Sequence, residues 1–163
     1  LRYFNAAGYD LNGRIVGLDK KPTNLFPIIM ETALGIRNIM SIYGNDYSTR
    51  DGTCIRDYIH VSDLSSAHLA SLEYLLTKKK NLFLNLSNGL GYSVLEVIEA
   101  SRKIINKNIP YQITSRRSGD LPELVAISKK SKKLLNWSPK YSDIDLIIKS
   151  MWNIYSKQSE VDW

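Results

Sequence analysis

The sequence is poor in cysteine, histidine and long apolar runs, and each shortage excludes a class of protein. Its single cysteine, Cys54, cannot form an internal disulfide, which is typical of a reducing compartment. One Cys and two His cannot assemble a clustered zinc site from soft ligands. No apolar run approaches the length that would cross a bilayer. We therefore expect a cytoplasmic protein without a structural metal.

Three motifs that mark common enzyme classes are also missing. The sequence contains no Gly-x-Gly-x-x-Gly dinucleotide loop, no phosphate-binding P-loop and no Gly-x-Ser-x-Gly nucleophile elbow. What is present is an ordinary globular composition of 163 residues, with 44% apolar and 23% charged residues. This length is enough for one domain with a hydrophobic core.

The net charge of +6 permits a nucleic-acid partner, a phosphate-bearing small ligand or a lysine-rich surface. Much of the excess lies in residues 78–80, at the end of one predicted helix where cations suit the dipole, and in residues 129–133, along another where solvated lysines are common. Because no nucleic-acid recognition motif accompanies the charge, we favour a solvated surface.

Strand and helix patterns alternate along the chain, which predicts an α/β fold around a partly parallel sheet. Strands are predicted at residues 1–4, 39–43, 56–61, 82–87 and 111–114. Helices are predicted at 24–35 with Asn24 as cap, 63–77 with Asp63 as cap, 93–106, 128–135 and from Ser142 onward. The third helix has the most specific start, because Ser93 and Glu96 have the spacing of a capping box. The tail after Lys157 is predicted to be frayed.

The first polar segment that could carry chemistry is residues 2–8. Asn5 follows a predicted strand, and its amide offers two donors and one acceptor to a polar ligand. An Asn at a strand end is also a common turn former, so the residues alone leave both roles open.

The second segment is residues 56–64. Strand alternation places Arg56, Tyr58 and His60 on one face. The Arg56 guanidinium suits a phosphate, but a salt bridge with Asp57 or another acid is an equal alternative. His60 and His68 do not have a metal-binding spacing, and we predict that both are structural.

The third segment is residues 116–122. Arg116 and Arg117 beside Gly119 form a candidate anion clamp, and Asp120 offers an acceptor to a hydroxyl-rich ligand. A solvated turn with incidental charges is the alternative. Two separate arginine segments would suit one diphosphate if the fold brings them together.

In their order along the chain, these segments resemble the carboxy-terminal half of UDP-galactose (UDP-glucose) 4-epimerases, in the extended short-chain dehydrogenase/reductase family. The matching stretches are LRYFNAAG (1–8), NLFP (24–27), IYGNDYSTRDGTCIRDYIHVSDL (42–64), NLSNGLGYSVLEV (85–97), RRSGDLPELVA (116–126) and LNWSPKYSDID (135–145). They cover nearly the whole chain, and residues 44–61 are the most specific. The loop at 9–22 follows the family pattern only loosely.

The resemblance implies a fold and a set of roles. Residues 1–163 would be the carboxy-terminal nucleotide-sugar-binding part of an extended Rossmann-type epimerase, with some elements completing the NAD-domain sheet. The opening Leu1-Arg2-Tyr3-Phe4, a strand pattern entered midway, agrees with a fragment. Substrate-binding residues would be Asn5, Asn24, Leu25, Ser41, Ile42, Tyr43, Arg56, Arg117, Asp120 and Leu124. Cofactor-binding residues would be Tyr3, Phe4 and Tyr58.

Within this assignment, Arg56 and Arg117 hold the two phosphates, and residues 41–43 contact the uracil. Asp120 engages the ribose, and Asn5 bonds the phosphate or sugar end of the nucleotide sugar. Leu124 occupies a position that sets the room around the sugar, and it leaves acceptance of N-acetylated UDP-sugars open.

The implied reaction is the interconversion of UDP-glucose and UDP-galactose through a 4-keto intermediate with bound NAD. The acid/base Tyr, its Lys and the NAD loop belong to the family's amino-terminal half, so no catalytic residue is expected here. The intact protein is expected to be a homodimer. Two alternatives stay open: another nucleotide-sugar epimerase, dehydratase or decarboxylase of the family, and a non-enzymatic module that binds nucleotide sugars or RNA.

Overall fold

The structure is a computed structural model that describes residues 1–158. Six strands and five helices alternate along these residues. In chain order they are β1 (Asn5–Ala7), α1 (Leu25–Ala33), β2 (Met40–Tyr43), β3 (Ile55–His60), α2 (Val61–Lys78), β4 (Gly91–Ser93), α3 (Val94–Ile105), β5 (Tyr111–Thr114), β6 (Glu123–Leu124), α4 (Lys129–Leu135) and α5 (Ile144–Gln158).

Strand β3 is the centre of the larger sheet. It pairs in parallel with β1 and β6 and antiparallel with β4. Strands β2 and β5 form a separate parallel pair, in register from Met40 opposite Tyr111 to Tyr43 opposite Thr114. The predicted partly parallel α/β sheet is therefore confirmed.

The main hydrophobic core lies between α1, α3 and α5. Ile29 and Met30 of α1, Ile98 of α3, and Ile147 and Ile148 of α5 are fully buried. The apolar residues of α5 recur at helical spacing, so one face of that helix can cover both of the others. This packing fixes the start of α1 against the sheet.

Several predicted elements agree closely with the structure. Strand β5 has the predicted bounds, and Ser93 with Glu96 forms the predicted capping box at the start of α3. Asn24 is the N-cap of α1, and Ser128 precedes α4, although neither side chain makes a capping hydrogen bond. The predicted fraying after Lys157 falls mainly outside the described residues.

Two predicted strands are wrong. Residues 1–4 and 82–87 share only one bridge, Arg2 with Asn85, and the first strand begins instead at Asn5. Residues 82–87 do alternate, with Leu84 and Leu86 buried while Phe83 is 70% exposed. A strand also needs a ladder of partner groups, and among residues 1–158 the backbone of this segment is hydrogen-bonded only to the backbone of Arg2.

Two predicted helix caps are also wrong. Helix α2 begins at Val61, and its cap is His60, whose ring nitrogen accepts from the Ser62 amide at 3.0 Å. Asp63 lies inside the first turn of α2, and α5 begins at Ile144 rather than at Ser142. The caps are displaced because Asp63 and Ser142 bond to each other, at 2.6 Å.

Buried Asp63 ties the chain before α5 to α2. Its carboxylate accepts from the amides of Lys140 (2.8 Å) and Tyr141 (2.9 Å), as well as from the Ser142 hydroxyl. The Ser142 hydroxyl in turn accepts from the His60 amide at 2.9 Å. Asp63 is thus an anchor between helices rather than a cap.

Candidate functional site

A cavity with a volume of about 570 Å³ lies between the start of α1, strands β2 and β3, and the loop at 116–120. Cavities of this size hold drug-sized ligands. The predicted site residues that line it are Tyr3, Phe4, Asn5, Asn24, Leu25, Ser41, Ile42, Tyr43, Arg56, Tyr58, Arg117 and Asp120. The fold thus brings together segments that are far apart in the sequence.

Arg56 lines this cavity, and part of its guanidinium is already hydrogen-bonded to other residues of the chain. Its guanidinium donates to the carbonyls of Ile55 (2.9 Å) and Leu121 (2.8 Å), and it lies 3.3 Å from the Asp120 carboxylate. Both alternatives for Arg56 therefore hold in part, because it has an acidic partner and also lines the cavity. The acidic partner of Arg56 is Asp120, so the suggested salt bridge with Asp57 is wrong.

Asp57 has a different role, because its buried carboxylate accepts from three backbone amides. These belong to Asn88 (3.1 Å), Gly89 (3.3 Å) and Ala126 (3.2 Å). Burial raises the pKa of Asp57, while these hydrogen bonds act in the opposite direction. Asp57 thus fixes two loops beside β3 and leaves Arg56 to the cavity.

Arg117 reaches the same cavity from the loop after β5. Its guanidinium carbon lies 3.7 Å from the centroid of the Tyr43 ring, a cation–π contact. Within residues 1–158 the guanidinium donates no hydrogen bond, so its N–H groups are available to an anion. Two arginines from separate segments therefore face one cavity, as an anion site requires.

The start of α1 adds a second source of positive potential. Asn24 and Leu25 line the cavity, and the Asn24 side chain is not engaged in capping the helix. The first amides of a helix carry partial positive charge and lack partners within the helix. A phosphate beside Asn24 would meet these amides.

Asn5 lies in β1, opposite Tyr58, and not in a turn. Its amide nitrogen donates to the Asp57 carbonyl at 3.0 Å, which orients the side chain and leaves the amide oxygen for another donor. The turn-forming alternative is therefore wrong. An oriented amide at a cavity wall suits the hydroxyls of a sugar.

Tyr58 contributes an apolar wall. Its ring is 4% exposed and contacts Phe26 edge to face, with 5.1 Å between ring centroids. Burial raises the pKa of Tyr58, so the phenol stays protonated near neutral pH. Tyr3 and Phe4, in contrast, are 41% and 44% exposed at the cavity edge.

Leu124 differs from the other predicted site residues. It lies in β6, opposite Arg56 of β3, and is not part of the cavity lining. The lining also includes residues that sequence reasoning missed, among them Tyr9, Asp19, Thr23 and Cys54. The position of Cys54, two residues before Arg56 in the same matched segment, could have predicted that it lines the cavity. Tyr9 and Asp19 belong to the loop at 9–22, which matches the family pattern poorly and therefore gave no such indication.

A Tyr-x-x-x-Lys spacing does occur in the sequence, at Tyr74 and Lys78, although no catalytic pair was expected. Both residues lie in α2, and neither lines the cavity. The spacing therefore supplies no acid/base group to this site.

His60 is fully buried, and its second ring nitrogen lies 3.2 Å from the Ser150 hydroxyl. Burial lowers the pKa of His60, which keeps the ring neutral. Among residues 1–158 there is no group of three or more His, Cys, Asp or Glu residues placed to hold a metal. Over the same residues, no helix has the length and apolarity of a membrane span.

Comparisons with known proteins agree on one family. Residues 2–151 match the family described as GDP-mannose 4,6 dehydratase. A UDP-glucose 4-epimerase of Halalkalibacterium halodurans is 49% identical over 154 residues, which are 94% of this chain and 46% of that protein.

Two crystal structures of UDP-glucose 4-epimerases are also similar. The one from Stenotrophomonas maltophila, with bound NAD and formylated UDP-arabinopyranose, has a TM-score of 0.94 at 34% identity over 99% of this chain and 48% of that chain. The one from Bifidobacterium longum, in complex with NAD+ and UDP, has a TM-score of 0.87 at 40% identity over 96% and 46%. The chain spans about half the length of the relatives it matches.

Proposed function

We propose that this chain, which belongs to the GDP-mannose 4,6 dehydratase family, supplies the UDP-sugar-binding half of a UDP-glucose 4-epimerase. The observation that carries the proposal is the meeting of Arg56, Arg117 and the start of α1 at one cavity. A diphosphate is the ligand that needs two separated cations, and a helix start is a favourable place for an anion.

The remaining walls agree with the other parts of a UDP-sugar. We propose that residues 41–43 hold the uracil, with backbone groups at its edge and the Tyr43 ring beside it. Asp120, next to Arg56, would accept from the ribose, and Asn5 would bond the phosphate or sugar end. Leu124 would act at the sugar only through β3, the strand that carries Arg56 and pairs with β6.

NAD would be held mainly by residues outside this chain. Exposed Tyr3 and Phe4 at the cavity edge, with Tyr58 behind them, suit the flat nicotinamide ring. The sequence contains no Gly-rich loop for the dinucleotide phosphates. The bound cofactor supplies reversible hydride acceptance at the sugar C4, and this chain's residues would hold the sugar for that exchange.

Helix α2 supports the proposal that the binding half works together with a second half. Leu69, Leu72, Leu75 and Leu76 are 59%, 52%, 42% and 69% exposed along it, although they are apolar. A partner domain on this face would bury them. For the complete enzyme we propose a cytoplasmic homodimer, as the family resemblance implies.

UDP titration into the protein, followed by backbone amide NMR, tests the binding role. Shifts centred on Tyr43, Arg56 and Arg117 are expected. An unresponsive spectrum would contradict a preformed site, and steeply salt-dependent binding to RNA without a response to UDP would favour the nucleic-acid alternative. Product analysis with UDP-glucose, UDP-GlcNAc and UDP-glucuronate, on the full-length enzyme, separates 4-epimerisation of glucose from related reactions.

A further inference from the structure

Arg116 lies directly before the cavity residue Arg117 but does not line the cavity. Its guanidinium carbon is 4.2 Å from the centroid of the Tyr47 ring. The same side chain donates to the Asp46 carboxylate at 2.7 Å and to the Asp46 carbonyl at 2.5 Å. Arg116 therefore binds the loop after β2 through one ring, one carboxylate and one carbonyl.

Tyr47 contributes to this contact through its ring. The residue is 5% exposed, and its buried hydroxyl has no oxygen or nitrogen partner among residues 1–158. The polar group beside that hydroxyl is the Cys54 thiol, which is only a weak hydrogen-bonding partner. The ring face under Arg116 is the useful surface.

The contact between Arg116 and Tyr47 is also closely packed. A Cβ added at Gly44 would lie 2.7 Å from the Tyr47 ring and 2.8 Å from the Arg116 side chain. Gly44 has a φ of +82°, and its amide donates to the Thr114 carbonyl at 2.9 Å, just beyond the β2–β5 ladder. The two loops therefore leave the ladder in contact, with space only for glycine at this point.

Two consecutive arginines thus stack on two tyrosines, one at the end of β2 and the other in the loop that follows it. Arg116 covers Tyr47, and Arg117 covers Tyr43. Only the second pair lines the cavity. The first pair lies outside it and fixes where the loop that carries Arg117 runs.

We propose that Arg116 is a positioning residue for the anion site, because its stack on Tyr47 and its bonds to Asp46 hold Arg117 over Tyr43. This role rests on the proposed function, in which Arg117 binds a phosphate of the nucleotide sugar. Arg116 itself does not touch the ligand. Its loss should leave the cavity intact but let the Arg117 guanidinium leave the ring.

The test combines a spectroscopic signature with UDP affinity. A guanidinium over a ring face has its Nε–H resonance moved upfield, so this resonance of Arg117 reports the stack on Tyr43 without any ligand. Arg116→Gln should return the resonance toward its free value and weaken UDP binding about three- to fivefold, as expected when one cation–π contact is lost. Arg116→Lys keeps the charge but not the planar stack, and it should give an intermediate result.

Three further variants make the result specific. Tyr47→Phe keeps the ring under Arg116 and removes only the hydroxyl beside Cys54, so it should match the unmodified protein in both measurements, whereas Tyr47→Leu should behave as Arg116→Gln. Arg50→Gln is the matched control, because Arg50 pairs with Glu96 outside the cavity and should change neither measurement.

The role of Arg116 is refuted if Arg116→Gln leaves both the Arg117 resonance and UDP affinity unchanged, or if Tyr47→Phe acts like Tyr47→Leu. A protein that ignores UDP but loses the upfield resonance in Arg116→Gln would contradict the proposed function and still support the positioning role.

Discussion

The two cavity arginines are held by different contacts, and this difference predicts unequal losses of UDP affinity when each is replaced by glutamine. Arg117 rests on the Tyr43 ring and, within residues 1–158, donates no hydrogen bond from its side chain. A guanidinium has five N–H groups, and all of those of Arg117 are therefore free for phosphate oxygens. Arg56 already directs three N–H groups to Ile55, Leu121 and Asp120, which leaves two.

The magnitudes follow from these donors. A hydrogen bond to a charged partner contributes about 1.5–3 kcal/mol. Arg117 can bind a phosphate with two parallel bonds, so Arg117→Gln should cost about 3 kcal/mol, roughly a hundredfold in dissociation constant. Arg56 has fewer free donors and an adjacent carboxylate, so Arg56→Gln should cost about 1.5 kcal/mol, roughly tenfold.

Calorimetric titration of UDP into the two variants measures both losses, with Arg50→Gln as a control for removal of an ion-paired arginine outside the cavity. Thermal unfolding shows whether each variant is folded at the temperature of the titration. Equal losses, or a larger loss for Arg56→Gln, would refute the reasoning that free donors set the contribution of each arginine.

Three other predictions concern the framework around the site. Asp63→Ala removes the buried acceptor of three hydrogen bonds and should lower the free energy of unfolding by about 3 kcal/mol in urea titrations, while Asp63→Asn should lose less. Because burial lowers the pKa of His60, stability should fall as pH drops below about 6.5, where only the unfolded state takes up the proton, and His60→Gln should flatten this dependence in urea melts at pH 5.5 and 7.5. Gly52→Ala should destabilise the loop at 44–54 by at least about 2 kcal/mol, since Gly52 has a φ of +82° and its new Cβ would lie 2.0 Å from the Asn45 carbonyl oxygen; an unchanged melting temperature would contradict the backbone geometry.

Structural features that depend only on residues close together in the sequence were predictable. The capping box of Ser93 and Glu96 and the bounds of β5 depend on neighbouring residues, and both were correct. Part of the cavity lining was predictable because the motif order carried the resemblance, and the fold brings Arg56 and Arg117 to the same cavity. Neither arginine's partner could be inferred from periodicity.

The failures share a physical cause, which is competition between local and distant partners. Asp63 has the side chain of a helix cap, but three donors from residues 140–142 claim its carboxylate. Ser142 is drawn from its helix for the same reason, and His60 takes the capping position. Residues 82–87 alternate like a strand, but among the described residues their one β-bridge is to Arg2. In each case the contact that determines the structure joins residues far apart in the sequence, and a local sequence pattern cannot predict such a contact.

The net charge of the protein does not indicate the charge of the cavity. The chain carries a net charge of +6, yet the charged residues lining the cavity are two arginines and two aspartates, which cancel. Affinity for a diphosphate must therefore come from placement. Arg117 rests on an aromatic ring, the start of α1 lines the cavity with the positive end of its dipole, and Asp120 is paired with Arg56. A site built in this way should select for the spacing of two phosphates, whereas a polyanion would respond to the lysines at residues 78–80 and in α4, which lie outside the cavity.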